Sequence, residues 1–248
     1  MIELDNVSKA FGSKQILRGV SLEIAKGESL VIIGGSGTGK SVTLKCILGL
    51  ITHDSGTIRV GGTEMNAAER ETFLSRFGML FQGAALFDSL KVWENVAFRL
   101  VRGPHKIASD EAKHIAVEKL RRVGLSPDVA DLFPAELSGG MQKRVGLARA
   151  IATDPEVIFF DEPTTGLDPI MSGVINDLIR GIVTEMGATA MTITHDMRSV
   201  HAIADRVAML YEGRVEWTGP HADLETCENA IVRQFVNGST DGPISTVR

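Results

Sequence analysis

Between Leu30 and Ser41 the chain reads Leu-Val-Ile-Ile-Gly-Gly-Ser-Gly-Thr-Gly-Lys-Ser, a stretch that restricts the fold more than any other. Leu30 to Ile33 are consecutive apolar residues, the pattern of a short strand covered on both faces. Gly34 to Gly39 form a glycine-rich loop. Lys40 and Ser41 open a helix whose apolar positions include Leu44, Ile47 and Leu48. Gly-x-x-x-x-Gly-Lys-Ser set between a strand and a helix is a phosphate-binding loop. Glycines let successive backbone N–H groups turn toward a phosphate without Cβ clashes. The helix behind offers unpaired N–H groups and the positive end of its dipole. Lys40 is placed to reach β- and γ-phosphates, and the Ser41 hydroxyl to ligate Mg²⁺. The competing reading of the same residues is a glycine turn that holds no ligand.

Composition narrows the surroundings of this loop. A chain of 248 residues accommodates one α/β domain or two small ones. Apolar residues make up 44% and charged residues 23%, as in ordinary globular proteins. A net charge of −5 argues against broad nucleic-acid binding, which needs a basic footprint. Cys46 and Cys227 have no metal-ligand spacing, and Cys46 falls in the helix after the loop, the place of a buried thiol in a reducing compartment. No apolar run approaches the length of a membrane span. Met1-Ile-Glu-Leu-Asp lacks the charged and apolar regions of a signal peptide. The expectation is a cytoplasmic chain that meets a membrane only through a partner.

Periodicity supplies the architecture. Ile2 and Leu4, then Val20, Leu22 and Ile24, alternate with polar residues, the period of half-buried antiparallel strands. Further strands are expected at Thr57 to Val60 and Gly78 to Phe81, with an exposed helix over 66–76 between them. From Val92 to about Gly124 the pattern is helical, broken at Gly103-Pro104 and resumed near Ser109-Asp110, with Val117, Leu120 and Val123 on one face. Another helix starts at Leu137-Ser138-Gly139-Gly140 with Met141, Val145, Ala148 and Ile151 as its stripe. Val157 to Phe160 is a continuous apolar strand, followed by a helix over 170–186 with Ile175, Leu178, Ile179 and Ile182 inward. Ala190 to Thr194 is a buried strand. Val207 to Tyr211 and Val215 to Thr218 flank Glu212-Gly213 as a hairpin. The sum is an α/β fold: a parallel core, a small antiparallel sheet at its start, and a helical block at about 84–154. Ligand chemistry belongs at the C-terminal ends of parallel strands, where Gly34, Asp161 and His195 all fall.

Asp161-Glu162 follows four apolar residues. Beside a phosphate loop, a strand-end aspartate suits Mg²⁺, directly or through water. Glu162 is then near a water that attacks the γ-phosphate, as general base or orienter. The same pair, read without the loop, would cap the following helix. Ser138 is suited to cap its own helix, while Gly139 and Gly140 let its first N–H groups approach an anion. A flexible helix start is the alternative there.

Leu137-Ser138-Gly139-Gly140-Met141-Gln142 resembles the signature motif of ABC transporter ATPases. With Gly34–Ser41, Gln82, Asp161-Glu162, Gly166-Leu167-Asp168 and His195 it reproduces that family's motif set in order, over about residues 1–225. Met141 stands where the family most often has glutamine. The resemblance implies an ABC-type P-loop ATPase with a RecA-like core at 1–83 and 155–225, a helical signature subdomain at 84–154, and a tail at 226–248. It implies ATP and Mg²⁺ as ligands. Gly34, Gly35, Ser36, Gly37, Thr38, Gly39, Lys40, Ser41 and Val42 would hold nucleotide, with Phe11 stacking on adenine in place of the usual tyrosine. Ser41, Gln82 and Asp161 would serve the metal, and Glu162, His195, Gln82 and Lys40 the hydrolysis. Phe11 is otherwise a core phenylalanine. The resemblance further implies a head-to-tail homodimer, with each ATP between Gly34–Ser41 of one copy and Ser138–Gly140 of the other, and Asp168 at the seam.

Gly83–Asp88, with Leu86 and Phe87, lies where this family docks the coupling helix of an integral permease, present as two chains. Exposed apolar loop residues mark such interfaces, unless they pack on the helical block. Phe81 to Leu90, and Val232-Arg-Gln-Phe235 with Gly242-Pro243, resemble the Mla and Mkl type ATPases, which serve MCE-protein lipid transporters. That implies phospholipid movement across a bacterial envelope, an MCE protein, a possible STAS-domain protein at the ATPase, and a place on the cytoplasmic face of the inner membrane. A small-solute importer of the amino-acid type shares every catalytic motif. A soluble ABC ATPase of assembly or repair is a third class, disfavoured by the apolar loop and the lack of a second ATPase half.

Overall fold

The computed structural model describes residues 1–65, 70–103 and 106–245. In chain order its elements are β1 (Ile2–Phe11), β2 (Lys14–Ile24), β3 (Ser29–Ile33), α1 (Lys40–Ile47), β4 (Ser55–Val60), β5 (Thr63–Glu64), α2 (Arg70–Ser75), β6 (Phe77–Leu80), α3 (Val92–Val96), α4 (Phe98–Arg102), α5 (Ser109–Arg122), α6 (Gly139–Ala150), β7 (Val157–Asp161), α7 (Pro169–Met186), β8 (Thr189–Ile193), α8 (Met197–Ile203), β9 (Arg206–Tyr211), β10 (Arg214–Pro220) and α9 (Ala230–Asn237). They form two compact units, Met1–Leu74 with Met191–Arg248, and Ser75–Ala190. Among the described residues no helix is long and apolar enough to cross a membrane.

The first unit contains an antiparallel sheet in the order β2–β1–β4–β5. β1 pairs with β2 from Ile2↔Ile24 through Leu4↔Leu22 and Val7↔Val20. The alternating apolar residues therefore share one face, and Ile2, Leu4, Val20, Leu22 and Ile24 are all buried. Register shifts between Leu4 and Val7, where Asn6 takes a left-handed φ of 52°. The same unit holds the strand run β10–β9–β3. β3 and β9 are parallel, from Leu30↔Arg206 to Ile33↔Met209, and every residue of β3 is buried. β9 and β10 make the expected hairpin, turning on Glu212 at φ 46° and Gly213 at φ 78°. The beginnings of β3 and β9 are tied together. The Ser29 amide donates to the Asp205 carboxylate at 2.9 Å, and the Asp205 amide donates to the Ser29 carbonyl at 2.9 Å. Arg206 meets Glu28 at 2.6 Å.

In the second unit β6 and β7 are parallel, from Phe77↔Val157 to Leu80↔Phe160. Phe77 and Phe159 meet edge to face at 4.9 Å. Helix α6 lies so close to β6 that glycine is required: a Cβ at Gly78 would stand 2.0 Å from the Ala150 carbonyl oxygen. A Cβ at Gly146 would stand 2.7 Å from Leu80. The second unit thus holds β6 and β7 packed together with the helices. Helix α5 buries Ala112, Ala116 and Leu120, its capping residue Val123 is buried too, and Val117 is half-buried. In α7, Ile175, Ile179 and Ile182 are buried and Leu178 is half-buried.

Several boundaries move by one residue from the sequence pattern. The strand expected at Gly78 to Phe81 is Phe77–Leu80, which leaves Phe81 exposed. The strand expected at Ala190 to Thr194 is Thr189–Ile193. The exposed helix expected over 66–76 is α2 in its described part, with Phe73 buried under it; residues 66–69 lie outside the described residues. α4 ends at Arg102 with Gly103 as its cap, and Pro104 lies outside the described residues.

Candidate nucleotide-binding site

In the first unit, β3 delivers the chain into the glycine loop, and α1 begins at Lys40 as the motif predicts. Two glycines are sterically required. Gly34 has φ 145°, and a Cβ there would stand 2.3 Å from the Leu210 carbonyl oxygen of β9. Gly39, the cap of α1, has φ 107°, and its Cβ would stand 2.6 Å from Leu17 of β2. The loop's carbonyls are secured by its own side chains. The Lys40 ammonium donates to the Gly34 carbonyl at 2.6 Å and the Gly35 carbonyl at 2.9 Å. The Thr38 hydroxyl donates to the Gly35 carbonyl at 3.0 Å. Fixing the carbonyl side of these peptide planes orients their N–H groups to the other side, where an anion is recognised. Below the loop, Thr43, Leu44, Cys46 and Ile47 are buried, while Ser36, Gly37 and Ser41 are exposed and Val42 is half-buried.

His195 reaches the same unit through β8. The Thr194 amide donates to the Ile32 carbonyl at 3.2 Å, so the residue before His195 is bonded to the strand that feeds the glycine loop. His195 is exposed, and the next residue, Asp196, caps α8 by accepting from the Arg198 amide at 3.0 Å. Phe11 ends β1 with 49% of its surface exposed and the Lys9 ammonium 5.5 Å from its ring centre. It is not a core phenylalanine.

The carboxylates lie in the second unit. Asp161 is the last residue of β7 and is half-buried. Glu162 follows with φ 49°, a left-handed conformation uncommon outside glycine. Its carboxylate accepts from the Thr165 hydroxyl at 3.2 Å and its carbonyl from the Thr165 amide at 3.3 Å. Capping of the next helix falls instead to Asp168, whose carboxylate accepts from the Ile170 amide at 2.9 Å and the Met171 amide at 3.0 Å. Gln82 sits two residues after β6 and is exposed.

The second glycine-bearing helix start is also in this unit. Ser138 caps α6, its hydroxyl accepting from the Met141 amide at 3.3 Å. Ser138 and Gly139 are exposed, and a Cβ at Gly139 would meet nothing within 4 Å. Gly140 is covered by the flexible end of Met171. In the loop at Gly83–Asp88, Ala84 is buried, Leu86 is half-buried and Phe87 is 44% exposed. Phe87 stacks one face on Phe98 with ring centres 4.5 Å apart, so the loop both packs on a helix and shows an aromatic edge to solvent. Asn95, fully buried, holds that segment: its amide donates to the carbonyls of Phe87, Leu90 and Lys91, and its oxygen accepts from the Phe87 amide at 2.7 Å.

Sequence reading passes over two cations of α6. Lys143 is 5% exposed, and its ammonium donates to the Gln82 carbonyl and, at 3.3 Å, to the Glu162 carbonyl. Burial pulls its pKa down, against the pull of the Asp161 and Glu162 charges. Arg149 donates to the carbonyls of Ala84 at 2.5 Å and Ala85 at 2.7 Å, and burial lowers its pKa as well. The signal was present in the helical period: Lys143 shares a row with the apolar Leu147 and Ala150.

A glycine loop clasped by its own lysine, between a buried parallel strand and a helix, defines a P-loop nucleotide-binding fold. The profile described as "ABC transporter" matches residues 17–165. The chain belongs to the ABC transporter family. It is 42% identical to the "Probable ribonucleotide transport ATP-binding protein mkl" of Mycobacterium leprae, over 98% of this chain and 70% of that protein. It is 38% identical to the "Intermembrane phospholipid transport system ATP-binding protein MlaF" of Haemophilus influenzae, over 98% of this chain and 93% of that protein. Its fold matches the ATP-binding cassette MJ0796, solved as a dimer in a post-hydrolysis state with ADP and Pi. There the TM-score is 0.81 at 31% identity, over 89% of this chain and 99% of that one.

Proposed function

We propose that this chain is the ATP-hydrolysing subunit of an ABC transporter whose cargo is phospholipid. The enzymatic part is supported by the loop from Gly34 to Val42, with Lys40 already drawn across its carbonyls. The cargo is supported by one observation, the likeness to MlaF along nearly the whole of both chains. Lys40 neutralises the β- and γ-phosphates, and Phe11 stacks on the adenine. Glu162 accepts the proton of the attacking water or orients it, and His195 holds that water and the γ-phosphate in line. Gln82 senses the water and the metal.

Among the described residues no group of three His, Cys, Asp or Glu is arranged to hold a metal. Mg²⁺ takes one or two protein oxygens and completes its shell with phosphate and water. By the family assignment Ser41, Gln82 and Asp161 would offer such oxygens, and the ion would neutralise charge that develops on the phosphates.

The rest of the assignment follows the expected division into core (1–83, 155–225), helical subdomain (84–154) and tail (226–248). Two copies pair head to tail, with Ser138–Gly140 of one copy closing on the nucleotide of the other; pairing is supported by the matching cassette, itself solved as a dimer. Two permease chains dock at Gly83–Asp88 under the cytoplasmic face of the inner membrane. An MCE protein stands beyond the membrane, with a STAS-domain protein as a further partner at the ATPase. The likeness to the mkl protein, a probable ribonucleotide transport ATP-binding protein, favours a second cargo, ribonucleotide.

The test is tagged purification from detergent-solubilised membranes, with mass spectrometry of the proteins and lipids recovered. A permease, an MCE protein and bound phospholipid are expected. A permease with a solute receptor or bound ribonucleotide would overturn the lipid assignment, and recovery without any permease would overturn transport. In the isolated protein, Glu162→Gln should keep ATP affinity while turnover drops at least about 100-fold. Normal turnover in that variant removes Glu162 from the mechanism.

A further inference from the structure

The cation buried beneath the carboxylates of the second unit has no part in the assignment above. Lys143 is carried by α6, five residues after Ser138. Its ammonium bonds two backbone carbonyls from separate loops, Gln82 after β6 and Glu162 after β7. A second cation of the same helix, Arg149, bonds the carbonyls of Ala84 and Ala85 in the first of those loops. Both loops are held in unusual backbone: Ala84 has φ 58°, Ala85 φ 49° and Glu162 φ 49°. Residues with a Cβ keep such conformations only where the surroundings over-determine them. Burying an ammonium is unfavourable unless it is well bonded, so a lysine in this place is retained for what it holds.

We propose that Lys143 is a positioning residue for ATP hydrolysis, its single ammonium fixing the backbone of Gln82 and Glu162 relative to each other and to the helix that starts at Ser138. The inference rests on the role of Glu162 and Gln82 proposed above. It acts through them, since Lys143 reaches their carbonyls. Any displacement of the loop at Gly83–Asp88 is passed to the Glu162 backbone through this bond, with Arg149 holding the carbonyls of Ala84 and Ala85 two and three residues beyond Gln82.

The test compares the full-length chain with Lys143→Met, which keeps length and loses donor and charge, and Lys143→Gln, which keeps a donor. For Lys143→Met the expected result is a fall in kcat of at least about tenfold with KM and nucleotide Kd changed less than about twofold. Amide hydrogen exchange should rise at 82–85 and 162–165 and stay unchanged in β3 and β9. Lys143→Gln should recover part of the turnover and of the exchange protection. The proposal is overturned if Lys143→Met turns over like wild type. It is also overturned if that variant loses nucleotide affinity, turnover and Tm together while exchange rises in every strand. Glu162→Gln separates the two levels. An active Glu162→Gln removes the site assignment itself, whereas an inactive Glu162→Gln beside a fully active Lys143→Met removes this inference alone.

Discussion

Two helices of this chain begin at glycines, and they begin differently. α1 has no side-chain cap; its first turn is prepared by a loop whose peptide planes are fixed by Lys40 and Thr38. α6 is capped by the Ser138 hydroxyl, which accepts from the Met141 amide. α1 thus brings backbone donors and a full positive charge. α6 brings backbone donors, the end of a helix dipole and an exposed, unobstructed Gly139. On the proposed assignment the triphosphate is captured by the first kind of start. On the same assignment the second kind adds a contact to an anion that is already held. The contrast is what a site shared between two copies requires: one complete cradle, and one surface that completes it only on closure.

The comparison breaks most readily at Lys40. Lys40→Met removes the only full charge of the cradle and both bonds across Gly34 and Gly35. Nucleotide affinity of the isolated chain, measured by calorimetry, should fall by about 100-fold, the scale of a charge-assisted hydrogen-bonded contact. Affinity within a few-fold of wild type would mean that the loop amides suffice and that the two helix starts are more alike than their structures.

Ser138→Ala tests the other start. Loss of the cap costs about 1 kcal/mol of local stability. If α6 only completes a shared site, monomer affinity for nucleotide should stay within about twofold while turnover, which needs the closed pair, falls about tenfold. Equal losses in affinity and turnover would place Ser138 in the cradle of its own chain and undo the contrast.

What the sequence shows of all this depends on the range of the interaction. The glycine loop is local: strand, loop and helix are contiguous, and their pattern and outcome agree to the residue at Lys40. The alternation in β1 and β2 predicts the buried face but not the bulge at Asn6, because a bulge is set by pairing across two strands. The helical row that Lys143 shares with Leu147 and Ala150 points it inward, but a lysine there does not say what it bonds. Its partners are visible only once the carbonyls of Gln82 and Glu162, 61 and 19 residues away, are in place. The left-handed backbone of Ala84, Ala85 and Glu162 is hidden for the same reason, since nothing in an alanine or glutamate announces a positive φ.

The smallest effect expected concerns Cys46, near the end of α1, and it asks whether the cradle is rigid before nucleotide arrives. Cys46 is 3% exposed, and burial pushes its thiol pKa up, with the Asp54 charge adding to the rise and the Lys9 ammonium opposing it. Fewer thiolates and no access make it a poor nucleophile, whereas Cys227 is only half-buried. Alkylation followed by peptide mass spectrometry should label Cys227 at least about tenfold faster than Cys46, with ATP changing the Cys46 rate less than about twofold. Lys40→Met should leave that rate unchanged, because the lysine bonds the loop and not the buried face of the helix. Gly39→Val should raise it, because a side chain at Gly39 collides with Leu17 and displaces the first turn of α1. If Lys40→Met also exposes Cys46, then the lysine supports the fold of α1 as well as its ligand, and the loss of affinity in that variant no longer measures charge alone.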